Sequence, residues 1–345
     1  MKKSLIALAV LASTGAMAQS SVTLYGIIDV NLQSTKVAGI RTNQIESGGV
    51  SGSRFGLKGS EDLGGGLKAL FVLESGFSAD TGAGNVTRNA AGVVTSSNIF
   101  NRQSYVGLAG GFGEVRIGNS STAFDDIAIA TNPLADSILS PANLIFNNNY
   151  VSRPGNTIYY ATPSFGGLTA AASYSLGENK NTVNNPGSST GVASFNVQYA
   201  GGPVYASLGY QEDKRVTATP AVIAATPGAA YKNTLLNASY DFGVAKLLGS
   251  YEREVTANET KTNQYQIGVD FPVTTALVLS TGYAWSKDKL NGTDGDKRTA
   301  VALGATYSLS KRTSIYTGLN YGESKTTAGV KTKADIYAIG VRHAF

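Results

Sequence analysis

The chain has 345 residues, of which 41 are Gly and only 15% are charged, and its formal net charge is +5. A hydrophobic content of 42% excludes a disordered chain, and the lack of Cys in the sequence excludes disulfides, thiolate metal sites and cysteine nucleophiles. With a single His, the sequence offers little for a histidine metal centre or for histidine-based catalysis. We therefore expect no enzymatic activity, no cofactor and no metal site.

The first 18 residues have the pattern of a secretory signal peptide. Two lysines precede the short apolar run Leu5–Ala12, and the segment ends in the small-x-small sequence Ala16-Met17-Ala18. The apolar run is too short for a membrane-spanning helix. We expect residues 1–18 to be cleaved and 19–345 to form the mature domain. Losing two lysines lowers the net charge from +5 to +3, and the sequence has no Lys/Arg-rich stretch, so no nucleic-acid partner is expected.

Downstream of residue 18 the dominant pattern is the alternation of apolar and polar residues that is typical of β-strands with one apolar face. In the first such strand, Asp29 and Asn31 oppose an apolar set made of Val22, Leu24, Gly26, Ile28, Val30 and Leu32. The same alternation recurs around 67–74, 114–117, 264–271 and 301–305. The sequence therefore predicts an all-β protein.

Short and long connections alternate along the whole chain. The short turns lie at 61–66, 110–113, 163–167, 201–203, 241–243, 271–275 and 310–312. The long polar segments lie at 35–49, 80–98, 121–152, 178–190, 213–230, 257–261, 288–297 and 325–332. Seven short and eight long connections join about sixteen strands, as in a transmembrane antiparallel β-barrel with short turns at one end and long loops at the other.

The alternative architecture is a soluble β-sandwich, which would bury its apolar residues in a core and needs no difference in turn length between its ends. The signal peptide, the one-sided loop lengths and the low charge favour the barrel. A β-protein in a membrane must also close, because an open edge would leave unpaired backbone groups in hydrocarbon. We expect the last strand, 335–345, to pair with the first, 22–34, and to place Tyr337, Ile339, Val341, His343 and Phe345 on its outward face.

Several sequence segments make the chain resemble the general diffusion porins of β-proteobacteria, of the kind found in Burkholderia, Bordetella and Neisseria. These segments are 21–26 (SVTLYG), 53–64 (SRFGLKGSEDLG), 102–108 (RQSYVGL), 163–167 (PSFGG) and the terminal 340–345 (GVRHAF). They are spread over the whole mature chain, and together they are specific.

The resemblance implies a sixteen-stranded, homotrimeric barrel in the outer membrane, with short periplasmic turns, long external loops and a third long loop folded into the lumen. Such a barrel passes small hydrophilic solutes and ions by passive diffusion and contacts outer-membrane lipid, including lipopolysaccharide. A barrel of about sixteen strands leaves an aqueous lumen. Two alternatives stay open at this point: a substrate-specific porin, and a structural or adhesive barrel whose interior is filled.

Strand parity predicts a set of basic residues on the lumen wall: Arg54, Lys58, Arg102, Arg116 and Arg153. The inward position of Arg102 is deduced from an outward Tyr105. By the resemblance, Arg54, Arg102 and Arg153 match a basic ladder on the barrel wall of related porins. The other interpretation is that these arginines are neutralised by neighbours or extend to an interface.

The longest connection, 121–152, follows the fifth predicted strand and is therefore the third long loop. It carries Asp125, Asp126 and Asp136 and no basic residue. Folded inward, it places carboxylates opposite the arginines at a pore constriction, where a modest excess of positive charge predicts weak anion preference. The alternative is an acidic loop on the outer surface.

Aromatic residues carry two further expectations. Phe345 ends the apolar face of the closing strand, and the resemblance makes it an assembly signal. Outward tyrosines, which include Tyr105, Tyr160, Tyr240 and Tyr283, are interpreted as aromatic belts at the membrane surfaces.

Overall fold

The computed structural model of the protein describes residues 21–84, 86–88, 94–147, 149–177, 191–214, 230–256, 259–290 and 292–345. The expected signal peptide, 1–18, lies outside the described residues. So do the predicted long segment 178–190 and most of the segment 213–230.

The described residues form nineteen strands and one four-residue helix, α1 (Ala142–Ile145). The strands are β1 (Ser21–Val37), β2 (Ile40–Ser47), β3 (Arg54–Gly64), β4 (Leu67–Gly76), β5 (Val86–Arg88), β6 (Val94–Ser97), β7 (Gln103–Gly110), β8 (Gly113–Asn119), β9 (Thr157–Ala161), β10 (Leu168–Ser175), β11 (Val192–Gly201), β12 (Val204–Asp213), β13 (Tyr231–Asp241), β14 (Lys246–Val255), β15 (Lys261–Pro272), β16 (Leu277–Leu290), β17 (Thr293–Ser308), β18 (Thr313–Lys325) and β19 (Lys331–Ala344). Among the described residues, no helix is long and apolar enough to cross a membrane.

One large antiparallel sheet contains every strand except β5 and β6, which pair only with each other. Strands β2 and β3 pair with different halves of β1, through Val30–Val37 and Ser21–Ile27 respectively. They are therefore two halves of one barrel strand, interrupted at 48–53. Counted in this way, the sheet has sixteen barrel strands, and β19 closes it by pairing Ala334–Ala344 with Val37–Ile27 of β1. Both the strand number and the closing pair confirm the sequence prediction.

The apolar face of the sheet points outward. On β1, Leu24 and Leu32 are about 60% exposed, whereas Asp29 and Asn31 are almost completely buried in the interior. A closed sheet with an apolar outside and a polar inside is the pattern of a membrane barrel. The alternating pattern of the sequence predicted this arrangement.

Two predicted long connections are wrong in detail. Strand β1 continues to Val37 and turns through Ala38 and Gly39 into β2, so segment 35–49 is mostly a hairpin and not a loop. Strand β16 likewise extends to Leu290, and β17 begins at Thr293. In both places the paired strands continue beyond the apolar band of the barrel. Their polar residues are therefore in strands whose backbone groups are hydrogen-bonded to the neighbouring strand.

The predicted outward orientation of Tyr105 is also wrong. On β7 the outward residue is Val106, 64% exposed, so Tyr105 faces the lumen, where its ring lies 5.2 Å from the guanidinium carbon of Arg116. A tyrosine suits either face, because its ring packs on a cation as well as on apolar neighbours. Arg102 precedes β7 and contacts Glu74 inside the barrel, so the deduction from Tyr105 reached an inward Arg102 for the wrong reason.

Candidate functional site

The segment between β8 and β9 lies inside the barrel. Phe124 and Ile127 are fully buried and pack with Leu235 of β13. The Phe124 ring also makes an edge-to-face contact with Tyr150, with 4.9 Å between ring centroids. The third long loop therefore folds into the lumen as predicted, and the external-loop alternative is excluded.

Amide side chains on the inner wall hold the backbone of this loop. Asn237 Nδ2 donates to the Ile127 carbonyl over 2.8 Å, and Asn320 Nδ2 donates to the Ser140 carbonyl over 2.7 Å. Between them, Gln266 Oε1 accepts from the amide of Ala142 over 3.1 Å. The loop is thus hydrogen-bonded to β13, β15 and β18. Buried backbone groups need such partners. The inward polar side chains of these strands therefore bind the backbone of the loop as well as water in the lumen.

Glycines on the same wall allow the loop to lie against it. A Cβ atom on Gly268 or Gly282 would lie 2.6 Å from Cγ of Pro133, and one on Gly304 would lie 2.6 Å from a methyl group of Leu134. These distances are far below van der Waals contact, so larger residues at these positions would push the loop away from the wall.

Beside the inserted loop, the interior of the barrel contains a cavity of about 460 Å³. Its wall is strongly polar. The charged residues that line it are Arg54, Arg102, Arg153, Asp125, Asp136 and Glu252. Five of these six are among the residues that the sequence placed at the constriction. Arg54 begins β3, Arg102 and Arg153 lie just before β7 and β9, the two aspartates belong to the loop, and Glu252 lies on β14.

Two of the three arginines at the cavity are in ion pairs. Arg153 Nη2 lies 3.3 Å from Asp125 Oδ2, and Arg102 Nε lies 2.7 Å from Glu74 Oε1. Arg54 donates to the carbonyl oxygen of Gly52 and has no ion pair within the described part of the chain. It interacts electrostatically with the other two arginines and, in the opposite sense, with Glu74 and Asp136. The least compensated positive charge at the cavity is therefore that of Arg54.

The loop carboxylates have perturbed acidity. Burial raises the pKa of Asp136, and the negative charge of Asp125 raises it further, while the positive charges of nearby arginines oppose the shift. Burial also raises the pKa of Asp126 to about 6, against a hydrogen bond from Tyr159 that lowers it. As pH falls toward 6, the loop loses negative charge earlier than ordinary aspartates would.

Three residues of the predicted constriction do not line the cavity. Asp126 accepts a hydrogen bond of 2.7 Å from the Tyr159 hydroxyl on the barrel wall. Arg116 pairs with Glu114 and lies 4.5 Å from the Tyr159 ring centroid. Lys58 lies over the ring of Tyr25, at 5.1 Å. All three are on the inner side of the barrel, away from the narrow section.

Sequence reasoning missed several polar residues around the cavity. Glu74 and Glu252 are 4% and 3% exposed, respectively, and the Glu74 carboxylate, paired with Arg102, reduces the positive excess that was expected from the arginines alone. The Arg342 side chain donates a hydrogen bond to the hydroxyl of Ser51, and Ser51 lines the cavity. The inward parity of Glu74 and Glu252 was a detectable signal, but parity alone does not show which inward residues lie at the level of the loop.

Asp29 organises the break between β2 and β3. Its carboxylate accepts hydrogen bonds from the amides of Val50 and Ser51, at 2.9 and 2.8 Å, and from the Tyr316 hydroxyl at 2.6 Å. These contacts fold the backbone just before Arg54 and so position the start of β3. An acidic residue on the first strand therefore shapes the arginine side of the cavity.

Comparison with known proteins agrees with this architecture. The sequence profile of the Gram-negative porin family matches residues 4–344. The chain belongs to that family. Among curated porins, the outer membrane porin protein 32 of Delftia acidovorans is 37% identical, and the major outer membrane protein P.IB of Neisseria meningitidis serogroup B is 31% identical, each over the full length of both chains.

A solved structure, described as an anion-selective porin from Comamonas acidovorans, aligns with a TM-score of 0.76 at 31% identity. It covers 95% of this chain and 100% of its own. This porin is therefore an outer-membrane channel protein and not an enzyme. The resemblance stated from the sequence, the sixteen-stranded barrel and the outer-membrane location are confirmed.

Proposed function

We propose that this porin is a passive channel for small hydrophilic solutes and ions with a weak preference for anions. The observation that carries the proposal is the composition of the cavity wall, in which three arginines face the carboxylates of the inserted loop. Charges across a narrow, polar lumen tune selectivity without closing the path.

The preference is weak because most of the charge is compensated. Arg102 and Arg153 each have a carboxylate partner, so their fields largely cancel beyond a few ångströms. Arg54 lacks such a partner among the described residues, while Asp136 opposes it with a pKa that is raised by burial. The similar porin from Comamonas acidovorans is described as anion-selective, which supports a preference for anions over cations.

We further propose that the mature protein begins at Gln19 after signal-peptide cleavage and assembles as a homotrimer in contact with outer-membrane lipid and lipopolysaccharide. The trimer follows from the family resemblance. Support from the chain itself is the uncharged outer face near the ends of β7 and β8, where Ser104 and Asn119 face each other, since a face without charge is suited to burial between copies.

Planar-bilayer recording of the purified protein tests the channel and the trimer together. We expect conductance steps that arrive in threes and a flux that no single solute saturates. In a KCl gradient, we expect a small zero-current potential whose sign indicates a preference for anions. An absence of conductance would refute the channel. Saturation by one solute would instead indicate a substrate-specific porin.

A further inference from the structure

The outward face of β16–β19 carries an unusual row of positive charge. Lys287, Lys297, Lys325 and Lys331 are direct register partners, each on the strand next to the last. With neighbouring strands about 4.8 Å apart, the row extends over about 14 Å. Like charges directly opposite each other destabilise a sheet, so four in succession require an explanation.

The row faces away from the lumen. On these strands the exposed apolar residues that share its parity are Tyr283, Val301, Tyr321 and Tyr337. The inward residues are buried, as Ala284 and Ala300 are. Lys297 and Lys325 are exposed, so their ammonium groups are free to meet a partner at the outer surface of the barrel.

Aromatic rings mark the height of the row above the membrane. Tyr265 and Trp285 stack at 4.9 Å between ring centroids, and Tyr251 and Tyr283 extend the stack on either side. Stacked outward aromatics are typical of the membrane–water interface. Lys287 follows Trp285 by two residues and is therefore about 7 Å further toward the long loops, at the level of lipid headgroups.

Acidic neighbours compensate only half of the row. Lys287 Nζ lies 2.5 Å from Asp294, and Lys331 Nζ lies 2.8 Å from Glu323. Lys297 and Lys325, the two central lysines, have no direct ion pair within the described residues and interact only electrostatically with Asp294 and Glu323, which are paired to Lys287 and Lys331. At the ends of β7 and β8, the corresponding outward positions are Ser104 and Asn119, so this part of the outer face carries no such row of charge.

We infer that this row, with Lys297 and Lys325 at its centre, binds the phosphate groups of a diphosphorylated glycolipid in the outer leaflet. Two ammonium groups side by side without a direct ion pair suit a ligand with several negative charges, and the aromatic stack below Lys287 suits its acyl region. The inference rests on the outer-membrane orientation proposed above, with the long loops external. Bound phosphate would also relieve the repulsion among the four lysines.

The test compares the variant K297Q/K325Q with a matched control, K311Q/R312Q. Lys311 and Arg312 are exposed and lie in the turn that joins the opposite ends of the same two strands, so the control removes equal charge from the other membrane surface. The ligands are synthetic diphosphoryl and monophosphoryl lipid A added to protein in neutral detergent. Binding is counted by native mass spectrometry, and emission of Trp285, the single tryptophan, reports occupancy beside the row.

We expect K297Q/K325Q to weaken diphosphoryl lipid A binding roughly thirtyfold, because each of the two lysines near an anionic lipid contributes about 1 kcal/mol and 1.4 kcal/mol is a factor of ten. The control should bind as the wild type does, and the monophosphoryl lipid should bind less tightly to the wild type. Equal binding by wild type and K297Q/K325Q, or an equal loss in the control, would overturn the inference. A protein that shows this pattern but does not conduct would refute the channel proposal and leave the lipid site intact.

Discussion

Arg102 Nε donates to Glu74 Oε1 over 2.7 Å, and the same carboxylate accepts from the Tyr25 hydroxyl at 3.0 Å through its other oxygen. The pair holds the arginine at the cavity and cancels most of its field. Glu74 is 4% exposed, so ions in the lumen meet the arginine and not the carboxylate. The pair thus fixes both the position and the weakness of one positive charge.

Removing this counter-charge should strengthen anion preference. In E74Q, the amide keeps hydrogen-bond acceptance from Tyr25 but no longer neutralises Arg102. We expect the anion-to-cation permeability ratio in a KCl gradient to rise by roughly twofold at low salt and by less at high salt, where screening shortens the range of the charge. The control is E114Q, because Glu114 pairs with Arg116 away from the cavity. A ratio that does not change in E74Q would mean that Arg102 does not act on passing ions.

Anion preference should also rise as the solution is acidified. Burial raises the pKa of Asp136, so this carboxylate loses its charge above the usual aspartate range while the arginines keep theirs. The zero-current potential should therefore begin to move toward anions at a pH above the usual aspartate range and continue to do so as the pH falls into that range. In D136N, the zero-current potential at neutral pH should indicate a stronger anion preference than in the wild type, and it should change less as the pH is lowered. D126N is the control, because burial raises the pKa of Asp126 to about 6 but this residue does not line the cavity. A full pH response in D136N would contradict the assignment.

The close approach of loop and wall gives a test of the constriction itself. A side chain on Gly282 would meet Pro133 at 2.6 Å and Pro141 at 3.0 Å, so G282V should displace the loop and change single-channel conductance and the size limit for sugars in liposome swelling. G249V is the matched control, since a Cβ atom there has no neighbour closer than 3.8 Å. Equal conductance in G282V and the wild type would indicate that the loop does not limit flow.

The terminal residue, Phe345, binds the end of the last strand to β1. Phe345 and Gly26 exchange backbone hydrogen bonds of 3.0 and 3.1 Å, and the Phe345 ring occupies the space that a side chain on Gly26 would need. Deletion of Phe345 should therefore reduce the amount of assembled protein in the outer membrane severalfold while synthesis continues, as measured by heat-modifiable mobility on gels. Normal levels of assembled barrel would show that the contact is dispensable.

Much of the fold could be predicted because a barrel strand has a period of two and one face in lipid. The alternation of Leu24 and Leu32 with Asp29 and Asn31 determines which face is which, and the short turns count the strands. Hairpins such as β1–β2 could not be distinguished from loops, since polar residues beyond the membrane show no contrast between faces.

The site could be predicted less completely. Parity placed Arg54 and Arg153 inside, and the inward loop that the resemblance implies placed the aspartates there. Neither carries information on height along the barrel, so Lys58 was grouped with them. Ion pairs such as Arg102–Glu74 join strands that are distant in sequence from each other, and partner choice depends on strand register and loop path. Neither the register nor the loop path can be read from the local alternation of apolar and polar residues.

The most direct test of the selectivity account is the zero-current potential of R54S/R102S in a KCl gradient, compared with the wild type at low and high salt. The double variant removes the least compensated arginine and leaves Glu74 without its partner. We expect the potential to shift toward cation preference, more strongly at low salt, since the Debye length of about 8 Å at physiological ionic strength is comparable to the narrowed lumen. An unchanged potential would contradict the claim that these wall arginines set the ionic preference of the channel.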